Sequence, residues 1–84
     1  MKLTILSPDK EIFSGEVTSV KVPGSAGSFE LLNNHAPIVS SLSNGVVRVR
    51  TPKETFSFKV DKGFIEMLNN NISLLVQGYE KIGK

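Results

Sequence analysis

The sequence contains no cysteine and no tryptophan, and His35 is its single histidine. The absence of cysteine excludes disulfide frameworks and cysteine-ligated zinc or iron–sulfur sites. A conventional zinc site would need three carboxylates around His35. We therefore expect His35 to have a structural role, with its side chain bonded to a loop carbonyl, and we predict no metal, no cofactor and no catalytic residue.

Long apolar runs and a strong charge imbalance are also missing. No run approaches the length of a membrane-spanning helix. Ten basic residues are nearly balanced by eight acidic ones, and they are spread along the chain, so charge does not predict a nucleic-acid-binding protein. There is no G-x-S-x-G nucleophile elbow, and the glycine-containing run 24–28 lacks the lysine of a P-loop. The composition predicts one non-catalytic globular domain covering residues 1–84.

Glycine and proline recur so often that long helices have no room to form. Between them, apolar and polar residues alternate with period two, as at Phe56, Phe58 and Val60. Successive strand side chains point to opposite faces, so this alternation predicts strands with one buried face, and Phe58 is expected in the core. Strands are predicted near residues 2–7, 11–14, 16–22, 28–32, 38–42, 46–51, 54–60, 64–68 and 71–77. Such short strands predict an all-β antiparallel sandwich or barrel.

The predicted connections carry turn residues. Pro23-Gly24 fits a type II turn, in which the glycine takes a positive φ. Asn44-Gly45 is a strong hairpin signal. The tail 78–84 is short and broken by glycine, so it is expected to form no element of its own. Further tight turns are predicted at residues 51–54, 61–63 and 69–71.

One stretch suggests an alternative function. Lys62-Gly63-Phe64-Ile65 resembles the aromatic strand with which cold-shock and related barrels stack nucleic-acid bases. Glu66 follows directly, and only 7% of residues are aromatic, so a glycine turn entering a core strand is the simpler interpretation. A single-stranded nucleic-acid-binding β-barrel remains the alternative prediction.

A sharper signal lies in the middle of the chain. The stretch VKVPGSAGSFELLNNHAPIVSSLSNGVVRV, residues 20–49, resembles the N-terminal domain of the epsilon subunit of bacterial F-type ATP synthases. The resemblance covers nearly all of residues 1–77. The matching positions are Leu3, Ile5, Pro8, Phe13, Gly15, Val17, Val20, Gly24, Gly27, Leu32, His35, Ala36, Pro37, Leu42, Gly45, Gly63, Phe64, Asn71, Ser73 and Leu75.

This resemblance implies a flattened antiparallel β-sandwich of about ten short strands. It also implies a non-catalytic rotor subunit that clasps the gamma subunit, rests on the membrane c-ring and couples proton translocation to ATP synthesis. Such a subunit is peripheral to the cytoplasmic side of a bacterial inner membrane. Family members usually continue into a C-terminal helical hairpin, which the sequence to Lys84 does not include, so a naturally short subunit and a truncated one both remain open.

The resemblance also implies where the partners bind. The gamma subunit is expected on a largely apolar sheet face. His35 and Pro37 are expected as structural residues near the c-ring contact. That contact is expected on an exposed turn formed by Gly24, Ser25, Ala26, Gly27, Ser28 and Phe29.

Overall fold

The computed structural model describes residues 1–82, which form ten β-strands. Their β-branched and aromatic residues suit a pleated, half-buried surface. No helix among residues 1–82 is long and apolar enough to cross a membrane. The strands are β1 (Lys2–Ser7), β2 (Lys10–Glu16), β3 (Ser19–Val22), β4 (Phe29–Leu32), β5 (Ile38–Leu42), β6 (Gly45–Arg50), β7 (Thr55–Val60), β8 (Lys62–Leu68), β9 (Asn71–Gln77) and β10 (Glu80–Ile82).

The strands pair into two five-stranded sheets. Sheet A has the order β2-β1-β9-β8-β5, and sheet B has the order β10-β7-β6-β3-β4. Paired strands are antiparallel except β1 and β9, which run parallel with Lys2 opposite Asn71. The predicted all-β sandwich of about ten short strands is confirmed, with this one parallel pair as an addition.

The core lies between the two sheets. It is formed by the apolar side chains at every second position of the strands, which point inward. Phe58 is 0% exposed, as predicted, and its ring centroid lies 6.4 Å from that of Phe56 and 4.9 Å from that of Tyr79. The other buried apolar residues are Leu3, Ile5, Val17, Val20, Val22, Leu31, Leu42, Val47, Val49, Val60, Ile65, Met67, Ile72, Leu74 and Val76.

Two of the predicted turns are confirmed as hairpins. Between β6 and β7, the amide of Thr51 donates to the carbonyl of Glu54 at 2.7 Å. Between β8 and β9, Asn69 and Asn70 have φ values of 52° and 62°. Asparagine tolerates this left-handed region better than most residues do, and two consecutive positive φ values match the twist of a tight hairpin.

The predicted hairpin at Asn44-Gly45 is wrong, because the chain crosses from sheet A to sheet B there. Gly45 opens β6, and a Cβ on it would lie 2.7 Å from the Cβ of Pro23, so the glycine serves a close approach rather than a hairpin. The turn predicted at 61–63 is a second crossing, in which Asp61 alone separates β7 from β8. Turn residues look the same in sequence whether the next strand joins the same sheet or the other.

Two strand predictions also need correction. The predicted strands 11–14 and 16–22 become β2 and β3, because the chain leaves sheet A after Glu16 and enters sheet B at Ser19. The tail does form an element: β10 pairs antiparallel with β7, with Glu80 opposite Lys59. A three-residue strand has little pattern of its own and depends on hydrogen bonds to an existing sheet edge. Gly83 and Lys84 lie outside the described residues.

The buried position of Phe58 leads to a stability prediction. Replacing Phe58 with alanine should lower the free energy of unfolding by about 3–5 kcal/mol, because burial is lost and a cavity remains. Phe64→Ala is the matched control: Phe64 is 42% exposed, so its removal should cost no more than about 1 kcal/mol. Urea unfolding followed by circular dichroism measures both, and equal losses would contradict the assignment of the core.

Candidate functional site

The turn predicted to contact the c-ring connects β3 to β4 at one end of the sandwich, which we call the turn end. The amide of Gly27 donates to the carbonyl of Gly24 at 2.9 Å, and Gly27 has a φ of 131°. Ser25, Ala26 and Ser28 are exposed, as is Gly27, while Phe29 is half-buried. The positive φ therefore falls at Gly27, and the predicted type II turn with Gly24 in that role is wrong.

Gly24 was expected to be exposed with the rest of the turn, but it is buried. It forms a β-bridge with Leu42, the last residue of β5 in the other sheet. A Cβ on Gly24 would lie 2.6 Å from Cε2 of Phe29 and 2.7 Å from the carbonyl oxygen of Gly27. The glycine is needed because the turn folds back on its own root.

Hydrogen bonds hold the root of the turn to sheet A. The amide of Ser25 donates to the carbonyl of Ser41 at 3.0 Å, and the hydroxyl oxygens of these serines lie 2.8 Å apart. The amide of Ser43 donates to the carbonyl of Pro23 at 2.9 Å. The exposed tip therefore projects from a root that is fixed to both sheets.

His35 and Pro37 do not lie near this turn, contrary to expectation. They follow β4, which runs from Phe29 at the turn end to Leu32 at the opposite end, which we call the far end. Four extended residues separate the two ends by about 13 Å. The predicted bond of His35 to a loop carbonyl is present, since its Nδ1–H donates to the carbonyl of Ala36 at 2.7 Å. Both residues therefore belong to the loop that closes the far end.

An apolar surface that the sequence analysis did not identify lies on the outer face of sheet A at the turn end. Leu6, Leu75 and Phe64 are in register across β1, β9 and β8, and we call them the apolar row. Leu75 is 47% exposed. A groove of about 510 Å³ runs along the row, and Ser41 and Leu42 line it too. The sequence does carry a signal for this surface. Phe64 and Leu75 are apolar, although the alternation of their strands places their side chains on the solvent-facing side.

The apolar row and the candidate turn are neighbours. Ser41, which lines the groove, is the residue that bonds to Ser25 in the turn. One end of the sandwich thus presents a small-residue tip without charge and, beside it, an apolar groove. This arrangement suits contact with partner proteins rather than chemistry on a substrate. Among residues 1–82, no three His, Asp or Glu side chains lie close enough to hold a metal ion.

The geometry does not favour the nucleic-acid alternative. Base stacking on a basic surface needs exposed aromatic rings among the cations. Phe64 is exposed on the outer face of sheet A, whereas Arg48 and Arg50 project from the outer face of sheet B. The aromatic residues of β7 in sheet B, Phe56 and Phe58, face the core. The Phe64 ring thus has Lys62 beside it in the groove, but the clustered basic side chains of Arg48 and Arg50 lie on the opposite side of the sandwich.

Comparison with known proteins decides the family. The family model for the ATP synthase, Delta/Epsilon chain, beta-sandwich domain matches residues 1–82. The chain belongs to this family. The ATP synthase epsilon chain of Leptospira interrogans is 41% identical over 75 residues, which are 89% of this chain and 59% of that one. The epsilon chain of Chlorobium limicola is 43% identical over 77 residues, which are 90% of this chain and 88% of that one.

Chains in two solved ATP synthase structures have the same fold. A chain of the Euglena gracilis mitochondrial ATP synthase, in its OSCP/F1/c-ring structure, superposes with a TM-score of 0.87 at 18% identity, covering 94% of this chain and 51% of that one. A chain of the Tetrahymena thermophila central stalk/c-ring structure gives 0.80 at 15% identity, covering 93% and 63%. This chain thus spans about three fifths of the length of the Leptospira relative. It covers 51% and 63% of the matched chains in the two solved structures.

The contacts around Gly24 predict a stability effect. Gly24→Ala should lower the free energy of unfolding by about 1–3 kcal/mol, because the added Cβ overlaps the Phe29 ring and the turn's own backbone. Ala26→Ser also adds one heavy atom, but at an exposed position, so it should change stability by no more than about 0.5 kcal/mol. Thermal unfolding of both variants tests this, and a neutral Gly24→Ala would show that the root of the turn is loosely packed.

Proposed function

We propose that this chain is a non-catalytic central-stalk subunit of an F-type ATP synthase, which joins the gamma subunit to the membrane c-ring. The observation that carries the proposal is the family match over residues 1–82, together with the epsilon-chain relatives. In this role the chain transmits rotation between proton translocation and ATP synthesis and makes or breaks no bond itself. It is peripheral to the membrane through its complex, on the cytoplasmic side of a bacterial inner membrane.

In this proposal the tip of the turn, residues 25–28, contacts the c-ring. The tip is exposed and consists of small residues, so the backbone of a c-subunit loop can approach it closely. Its root is held by the Gly24–Leu42 bridge and by the bonds between Ser25 and Ser41. A contact that transmits torque has to resist bending, and a root fixed to both sheets supports this.

The apolar row is the proposed surface for the gamma subunit. Leu6, Leu75 and Phe64 form a continuous apolar strip across three strands, and polar rows flank it along the strands. A groove of this kind excludes water when an apolar segment of a partner lies in it, and the centre of such an interface contributes most of the binding free energy. Because the groove adjoins the turn, one end of the sandwich would contact both partners.

Cross-linking tests the contact with the ring. Ser28→Cys should form a disulfide with a cysteine placed in the polar loop of the c subunit when both are in the assembled ATP synthase. Residues 1–84 contain no cysteine, so no other thiol of this chain competes. Lys53→Cys is the control, since Lys53 is also exposed but lies in the β6–β7 turn at the far end. Cross-linking of Lys53→Cys but not of Ser28→Cys would mean that the sandwich is oriented the other way.

Binding of the gamma subunit tests the apolar row. Leu75→Ala should weaken the affinity for isolated gamma subunit about tenfold or more, as expected for a residue central to an interface. Leu68→Ala is the matched control, because Leu68 is 52% exposed on the same face of sheet A but lies at the far end. It should change the affinity less than about threefold. Calorimetry measures both, and equal effects would rule out the row as the centre of the interface.

A further inference from the structure

The outer face of sheet B carries four basic side chains. Lys21 on β3 stands directly opposite Arg48 on β6, Arg50 lies one row further along β6, and Lys59 lies on β7. Like charges directly opposite each other on antiparallel strands destabilise the pairing. The Lys21–Arg48 pair is therefore unfavourable by itself in the isolated sandwich.

Neighbouring carboxylates do not form ion pairs with these cations. Glu30 on edge strand β4 is opposite Lys21, and Glu80 on edge strand β10 is opposite Lys59. Within residues 1–82, the single ion pair closer than 4.0 Å joins the chain's amino terminus to Glu16. Glu30 and Glu80 thus balance Lys21 and Lys59 only in part, while Arg48 and Arg50 have no carboxylate opposite them on either neighbouring strand.

A shallow hollow of about 220 Å³ lies at the like-charged pair. It is lined by Lys21, Arg48, Ser28 and Ser57, together with Val22 and Val46. Lys21 and Ser57 flank Arg48 on its two neighbouring strands. Among residues 1–82 neither serine hydroxyl forms a side-chain hydrogen bond, so both can donate into the hollow.

We propose that this hollow binds a phosphate group. A phosphate presents several acceptor oxygens in a tetrahedron, so it can accept hydrogen bonds from both cationic residues and both serines of the lining, whereas a planar carboxylate has only two oxygens to share among these four residues. The guanidinium of Arg48 can bind two oxygens at once, and the ammonium of Lys21 supplies a compact second charge. A bound anion would also remove the repulsion between Lys21 and Arg48.

This site is separate from the contact proposed with gamma, and it shares one residue, Ser28, with the contact proposed with the c-ring. It lies on the outer face of sheet B, whereas the apolar row lies on the outer face of sheet A. Of its polar lining, only Ser28 also belongs to the candidate turn. A phosphate site here would add a small-molecule or lipid-headgroup ligand to a subunit whose other surfaces face proteins.

Titration with inorganic phosphate tests the proposal. In ¹⁵N–¹H spectra of the 84-residue chain at low ionic strength, phosphate should cause saturable shifts centred on Lys21, Ser28, Arg48 and Ser57. Arg48→Gln should weaken binding about tenfold, as expected for loss of a charged hydrogen-bonding group. Arg50→Gln removes the same charge from the same strand and face but outside the hollow, so it should weaken binding less than about threefold.

A second arm identifies the source of the phosphate. Sedimentation with vesicles of phosphatidylglycerol, and of phosphatidylcholine as control, measures binding to a lipid headgroup with the same two variants. Saturable binding of either inorganic phosphate or phosphatidylglycerol that Arg48→Gln weakens much more than Arg50→Gln does supports the site and tells a free from a lipid phosphate. No saturable binding in either arm, or equal weakening by the two variants, overturns it, because only diffuse attraction would then be present.

Discussion

Burial of the two inner sheet faces against each other is the interaction on which the rest of this structure depends. Neither sheet can exist alone in water, because each exposes a complete face of valine, leucine, isoleucine and phenylalanine side chains. A chain of 84 residues has one core of modest size, so it retains little stability if part of that core is lost. The turn, the apolar row and the basic side chains on the outer face of sheet B all depend on this core, because the strands that carry them bury their opposite faces in it.

Sequence alternation was sufficient to predict the core because burial acts on each strand separately. Phe58 and Leu74 could be assigned to the interior from their own neighbours in sequence. Which sheet a strand joins is decided by distant strands, and for that reason the sequence at Asn44-Gly45 predicts a hairpin that does not form. The prediction that His35 lies near the turn is wrong for a related reason. Resemblance to a family matches residues in their order along the chain, but it does not show that β4 carries the chain to the far end before His35.

The surface features were harder still to predict. Phe64 and Leu75 are recognisable in sequence as apolar residues at solvent-facing positions, but the row also needs Leu6, which comes from the other end of the chain. The like-charged pair of Lys21 and Arg48 depends in the same way on the pairing of β3 with β6. A surface made by side chains from several strands becomes visible only after the strand order and register are known.

The parallel pairing of β1 with β9 has a consequence for how the chain acquires its fold. Leu3 and Ile5 are fully buried, yet β1 completes its hydrogen bonds only when residues 71–75 are present beside it. On the ribosome, the β1–β2 hairpin therefore emerges first and has to wait with an open edge while the intervening strands are synthesised. Contacts so distant in sequence make folding slow, and unpaired edges invite association with other chains. We therefore expect sheet A to close late, after nearly the whole sandwich has left the exit tunnel.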